Sequence, residues 1–154
     1  MGRVSLLMLW FGLTAFTQNL EVTPASVDRG SANIIRVVFK PSAEHPVAAL
    51  QWEMVPRGGL RIEPSGVVLG TAAEAAGKKV TCARRPAEGN DRRLRCIMAG
   101  GTEPISAGVI AIMKFEAGNT AAGKFDITFE KIVGVSPSAQ PVPIQDMKAS
   151  ITVR

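Results

Sequence analysis

The feature that most constrains the fold of this chain is an alternation of apolar and polar residues with a period of two. It is clearest over 125–130, which reads FDITFE. Successive side chains of a β-strand point to opposite faces of a sheet, so this pattern indicates a strand with one buried and one hydrated face. The same spacing recurs in four further sets of apolar residues: Ile35, Val37, Phe39; Leu50, Trp52, Met54; Val109, Ala111, Met113, Phe115; and Ala149, Ile151, Val153.

Proline and glycine punctuate these runs, and the chain has 10 Pro and 15 Gly. That frequency of breakers disfavours a protein of long helices, and only Thr71–Ala76 has a helical composition. The phase of the alternation breaks at 131–133, which predicts a bulge or the end of a strand. The Pro- and Ser-rich segment 136–143 is expected to be a loop before the last strand. We therefore predict one all-β domain, a two-sheet antiparallel sandwich.

The first 17 residues have the pattern of a secretory signal peptide. Arg3 precedes the apolar, uncharged run Val4–Phe16, which is too short to span a bilayer. We expect residues 1–17 to be a signal peptide cleaved before Gln18, and 18–154 to be the folded domain. The alternative is an uncleaved first strand. The first interpretation predicts a secreted or periplasmic protein that meets a membrane only through this segment, before cleavage.

The two cysteines lie on neighbouring candidate strands separated by a polar turn. If the strands pair with Cys82 opposite Cys96, Val80 faces Met98 and the two cysteines are within reach of a disulfide. Export favours that bond, which would contribute about 3 kcal/mol on the chain-entropy model. Two buried free thiols are the alternative.

The chain is basic, with a net charge of +5. The basic residues concentrate at the turn between the two cysteines: Arg84, Arg85, Arg92, Arg93 and Arg95, with Lys78 and Lys79 close behind. A solvated turn that keeps the protein soluble is the preferred interpretation. The alternatives are contact with an acidic protein, an anionic polysaccharide or a membrane surface. Nucleic acid is not expected as a partner, because of export and because no aromatic residues are interleaved with the basic ones.

The residues offer little for catalysis, since the chain has one His, two Cys and no Tyr. No nucleophile elbow, phosphate loop or zinc-protease motif occurs. The acidic residues of the strands, which we expect at hydrated positions, are Glu53, Glu63, Glu116, Glu130 and Asp126. We therefore predict a protein that is not an enzyme and that uses no cofactor or metal.

Several segments resemble the bacterial cohesin family. They are Leu20–Val22 followed by Asp28–Gly30, Val47–Met54 followed by Gly59 and Leu60, the Gly-led apolar run Ile105–Phe115 followed by Gly123–Phe129, and the closing run Lys148–Val153. The resemblance extends from Leu20 to Val153. It implies a jelly-roll sandwich of about nine strands that binds dockerin modules of polysaccharide-degrading systems. In that family the partner docks on the flat outer face of the sheet holding the third, fifth, sixth and eighth strands.

Carried over by strand phase, that face defines the candidate partner-binding residues Gln51, Glu53, Lys79, Thr81, Arg93, Arg95 and Ile97. Ile97 is the apolar residue of an otherwise polar set, a hint of contact. The resemblance implies an exported, non-catalytic module that docks a dockerin-like or envelope protein. A carbohydrate-binding module and a structural subunit of an envelope assembly are the alternatives. For a docking site of this kind, charge reversal at Arg93 and Arg95 is expected to weaken the partner and leave the melting temperature unchanged.

Overall fold

The computed structural model describes residues 18–24, 26–28, 33–86, 92–117 and 122–154. The predicted signal peptide, residues 1–17, lies outside them. The elements are β1 (Asn19–Thr23), β2 (Ser26–Val27), β3 (Ile34–Lys40), β4 (Ala49–Pro56), β5 (Leu60–Leu69), α1 (Thr71–Ala75), β6 (Lys79–Arg84), β7 (Leu94–Ala99), β8 (Gly108–Ala117), β9 (Gly123–Val135), β10 (Pro141–Pro143) and β11 (Met147–Val153).

The strands form two sheets, as the alternation predicts. One sheet has four strands in the order β1-β3-β8-β5. The other has seven, in the order β2-β11-β9-β4-β7-β6, with β10 paired to β9. All pairs are antiparallel except β2 with β11, which is parallel. The sandwich is therefore confirmed. It has eleven described strands, compared with about nine predicted, and β2 and β10 are very short.

The core lies between the sheets and is lined by most of the residues that the period of two selects. Val109 and Ala149 are only partly buried, whereas Ile110, which is out of phase, is fully buried. Trp52, Phe39 and Phe129 are fully buried, as are Ile35 and Met113. Aromatic side chains bury the most apolar area per residue, so these rings dominate the packing of the two layers. The five aromatic residues of the described chain all belong to this core: Phe39, Trp52, Phe115, Phe125 and Phe129.

The disulfide prediction is confirmed. Cys82 and Cys96 are bonded, and they are direct cross-strand partners in the pairing of β6 with β7. Val80 opposes Met98 in the same ladder, as predicted. The bond fixes the edge strand β6 to the interior of the seven-stranded sheet.

Two local predictions need correction. Segment 136–143 is not all loop, because Pro141–Pro143 forms β10 against β9. Four prolines expected between strands lie within them: Pro56 in β4, Pro64 in β5, and Pro141 and Pro143 in β10. Pro64 falls where the pairing of β5 with β8 is irregular, so no regular ladder hydrogen bond is required of it there.

Lys78, which the sequence places close behind the basic turn, does not add to the exposed charge there. Its side chain is buried, and Nζ donates hydrogen bonds to the carbonyl oxygens of Gly100 (2.6 Å) and Gly101 (3.5 Å). Burial lowers the pKa of this amine, and the charge of Glu103 opposes the shift. Lys78 therefore ties the start of β6 to the segment after β7.

Candidate functional site

The seven-stranded sheet places β6, β7, β4 and β9 side by side. Its outer face carries side chains from all the strands named by the sequence analysis, so the candidate residues share one surface. Lys79, Thr81 and Ile97 are exposed, whereas Gln51, Arg93 and Arg95 are partly buried. Glu53 is the exception, because it is completely buried.

One row of side chains crosses this face nearly perpendicular to the strands. The cross-strand partners along it, here called the central row, are Thr81, Ile97, Gln51, Val133 and Pro143. With neighbouring strands about 4.8 Å apart, five strands give the row a length of about 19 Å. Ile97 is 48% exposed and Val133 is 41% exposed. The central row is therefore flat, and its two exposed apolar side chains, Ile97 and Val133, lie on opposite sides of the Gln51 amide.

The next row along the strands is charged, and it overturns the expectation that Glu53 is a hydrated carboxylate. Glu53 opposes Arg95 on β7 and Glu130 on β9. Its side chain is on the outer face but has no exposed area, because cationic side chains cover it. Glu53, which the sequence analysis names as a candidate contact residue, therefore has no surface of its own to offer a partner in this conformation.

Four cationic side chains, here called the cationic ring, surround this carboxylate: Arg85, Arg93, Arg95 and Lys131. Their nitrogens lie between 2.5 and 3.9 Å from the oxygens of Glu53.

Arg95 and Arg93 make the strongest contacts in the ring. Arg95 donates from Nε to Oε1 of Glu53 at 3.0 Å, and Arg93 donates from Nη1 to Oε2 at 2.9 Å. The same Nη1 of Arg93 also reaches Glu130 at 3.3 Å. Charge-assisted hydrogen bonds of this kind offset the cost of burying a carboxylate.

The protonation of Glu53 follows from this environment. Burial by itself raises its pKa, but hydrogen bonds from Arg95, Arg93 and Lys131 outweigh burial and lower the pKa from 4.5 to about 2. Glu53 is therefore ionised at neutral pH.

Lys131 reaches the ring because β9 contains a bulge. Between Gln51 and Glu53 of β4, the partner on β9 changes from Val133 to Glu130, so β9 carries one extra residue there. Lys131 has a φ of 50°, a left-handed conformation that is unfavourable for a residue with a β-carbon. The bulge thus allows β9 to present Glu130, Lys131 and Val133 on one face, which a regular strand cannot do.

Sequence reasoning predicted a bulge here but missed its consequence. Alternation continued from Phe129 keeps Glu130 outward but turns Lys131 and Val133 toward the core, so sequence reasoning misses these two residues. Arg85 was assigned to the basic turn alone. The available signal for Glu53 was charge complementarity, since Arg93 and Arg95 had already been placed on its face.

Lys131 and Lys148 each pair with a carboxylate of this sheet, but the two carboxylates differ in how many cations surround them. Lys148 pairs with Asp126 at 2.8 Å, and Ser150 donates to the same carboxylate at 2.6 Å. These contacts lower the pKa of Asp126. Among the ion pairs of the described residues, Asp126 has one cationic partner, whereas Glu53 has four.

The described residues offer neither a metal-binding cluster nor a membrane-spanning helix. Residues 18–24, 26–28, 33–86, 92–117 and 122–154 contain no cluster of three His, Cys, Asp or Glu side chains that could hold a metal ion. The described part of the chain also has no helix long and apolar enough to cross a membrane.

The fold is similar to solved cohesin modules. A cohesin from Acetivibrio cellulolyticus, solved in complex with a dockerin, superposes with a TM-score of 0.68 at 14% identity and covers 90% of this chain and 99% of its own. A cohesin from Clostridium thermocellum, also with a dockerin, gives 0.69 at 12% identity with 90% and 99% coverage. A non-cellulosomal cohesin from the archaeon Archaeoglobus fulgidus gives 0.64 at 13% identity with 90% coverage of both chains.

Sequence comparison adds no closer relative. No known family profile matches the chain. No curated protein matches it either. The similarity in three dimensions nevertheless extends over nine-tenths of the chain, with both sheets present. The chain therefore has a cohesin-like fold.

Proposed function

We propose that this protein is a non-catalytic module that docks another protein on the outer face of its seven-stranded sheet. The observation that carries the proposal is the central row. Two exposed apolar side chains, Ile97 and Val133, flank Gln51 on three adjacent strands. Protein interfaces are built around such apolar anchors with a polar surround.

The surroundings of the row support a protein rather than a sugar as ligand. Sheets that bind polysaccharide stack sugar rings on exposed aromatic side chains. The aromatic residues of the described chain are all in the core instead, with exposures of 4% or less. Two of the similar cohesins were crystallised with dockerins, which supports a protein partner of that type.

The proposal extends to the cellular compartment of the protein and to the pathway in which it acts. We propose that the protein acts outside the cytoplasm, and the disulfide supports this because such bonds persist in oxidising compartments. A link to polysaccharide degradation rests on the cohesin-like fold alone.

The test compares two matched variants as bait. Ile97 and Val68 are equally exposed, at 48%, and lie on the outer faces of opposite sheets. The full chain, Ile97→Ser and Val68→Ser are each used to capture proteins from extracts of the source organism and to bind a purified dockerin module. We expect a specific protein partner whose affinity falls about tenfold or more in Ile97→Ser and is unchanged in Val68→Ser.

Equal capture by Ile97→Ser and the parent chain would contradict docking on this face. Retention only on insoluble polysaccharide would replace the proposal with a carbohydrate-binding module. A fall of the same size in both variants would show that the effect is not specific to this sheet.

A further inference from the structure

The charges beside the central row are unbalanced. The ion pairs described around Glu53 and Glu130 comprise four cations and two carboxylates. The segment between β6 and β7 also contains Glu88 and Asp91, which lie outside the described residues. Glu53 itself contributes nothing to the accessible surface. A molecule that approaches this part of the sheet therefore meets the cationic side chains that cover Glu53.

The cationic groups remain accessible although they cover Glu53. The side chains of Lys131, Arg85 and Arg95 are 59%, 45% and 30% exposed. Guanidinium groups are weakly hydrated and match the geometry of a carboxylate, so they are well suited to receive a second one. Glu53 holds these groups together and offsets their mutual repulsion.

The backbone at Lys131 has an unfavourable conformation. A lysine at φ 50° is unfavourable, and regions of strained backbone occur preferentially at ligand-binding sites. Glycine or asparagine would adopt this conformation more easily. The bulge gives the sheet one more cation on its outer face, directly beside Val133 of the central row.

We propose, on the basis of the docking function above, that the cationic ring is a receptor site for carboxylate side chains of the partner, and that the partner is therefore an acidic protein segment with apolar residues beside its acidic ones. The charged row and the central row are two residues apart along the strands, about 6.8 Å. Glutamate or aspartate at the ring would place neighbouring apolar side chains on Ile97 and Val133. An anionic polysaccharide satisfies the ring but has no apolar side chains for the central row.

The probe is a synthetic peptide of Glu-Glu-Leu repeats, compared with the same peptide carrying Gln for Glu and with polygalacturonate. Affinities for the full chain are measured by calorimetry. We expect the acidic peptide to bind more tightly than the other two, with an affinity that falls as salt is added.

The ring is tested at its most exposed members, because variants of Glu53 would alter stability. Lys131→Gln should weaken the acidic peptide about two- to fivefold, and Arg85→Gln combined with Lys131→Gln about tenfold. Lys40→Gln is the matched control, since Lys40 also pairs with a glutamate and is 58% exposed, on the other sheet. It should leave affinity unchanged. Melting temperatures confirm that each variant is folded.

Three outcomes would overturn this inference: equal affinity for the Glu and Gln peptides, no effect of the double variant, or tighter binding of polygalacturonate through the same residues. The third would identify the ring as a polysaccharide site. If Ile97→Ser abolishes capture of a natural partner while the double variant does not, protein docking stands and only the role of the ring is lost. If the ring binds the acidic peptide but no partner depends on Ile97, the docking function fails instead.

Discussion

The outer faces of the two sheets carry similar residues in different arrangements. On the four-stranded sheet, Lys40 pairs one-to-one with Glu21, and both side chains are about half exposed. On the seven-stranded sheet, Lys131 is one of four cations around a single glutamate that is fully buried. Val68 is as exposed as Ile97, but it lies on the edge strand β5, whereas Ile97 lies inside its sheet.

The comparison shows that exposure and charge alone do not identify a site. A one-to-one surface pair is worth about 1 kcal/mol or less, because water screens it. A buried carboxylate with several donors is strongly coupled to the fold, because its charge depends on all of them. The cationic ring therefore contributes both to the stability of the sheet and to the positive charge on its outer face.

The largest expected effect is at the buried carboxylate. Glu53→Ala should destabilise the protein by about 3–5 kcal/mol, because it leaves four cations without their central counter-charge. Glu21→Ala should cost less than about 1 kcal/mol. Urea denaturation of both variants measures the difference, and equal losses would show that the two faces are alike. For the same reason, charge reversal at Arg93 or Arg95 should lower the melting temperature, contrary to the expectation from sequence.

The second effect is on acid stability. The pKa of Glu53 is lowered to about 2, so its stabilising contribution is complete above pH 4.5 and is lost as the pH falls towards 2. The loss should reach about 3 kcal/mol. In Glu53→Gln, the dependence of unfolding free energy on pH in this window should be shallower by that amount. Glu21→Gln is the control, and a parent-like slope in Glu53→Gln would contradict the low pKa.

A smaller effect is expected from backbone strain at the bulge. Lys131→Ala and Lys131→Gly both remove the contact with Glu53, but only glycine relieves the left-handed conformation. Lys131→Gly should therefore be more stable than Lys131→Ala by about 1 kcal/mol. At Lys40, which lies in β3 and does not have a left-handed φ, the order should reverse. Thermal unfolding of the four variants tests this, and the same order at both sites would exclude strain at Lys131.

The smallest effect on stability is expected at the exposed apolar residues. Ile97→Ser and Val68→Ser should each change the unfolding free energy by less than about 1 kcal/mol, because neither side chain is buried. Their binding should nevertheless differ, as proposed above. A large loss of stability in Ile97→Ser would identify this residue as structural.

Much of the fold was predictable because burial follows a simple period. Trp52, Phe125 and Phe129 lie in the core where the alternation placed them. Cys82 and Cys96 pair because their positions on two antiparallel strands oppose each other. Pro141–Pro143 was not predicted as a strand, because a short segment rich in proline has no alternation to detect.

The candidate site was predictable in location and less so in detail. Gln51, Thr81 and Ile97 lie on one outer face, as expected. Glu53 shares that face but is covered, since burial of an outward residue depends on the side chains of neighbouring strands. Lys131 and Val133 were missed because a single extra residue changes the phase of β9 locally.

The sequence by itself determined which residues line the core and which two strands the disulfide joins, because each depends on periodicity within a strand and on the simplest pairing of two neighbours. Only the tertiary structure decided that four cations converge on a carboxylate of β4, two of them from β7 and β9 and two, Arg85 and Arg93, from the ends of the turn between β6 and β7. That convergence depends on the order and register of strands distant in sequence and on one bulge, and none of these is encoded in a local pattern.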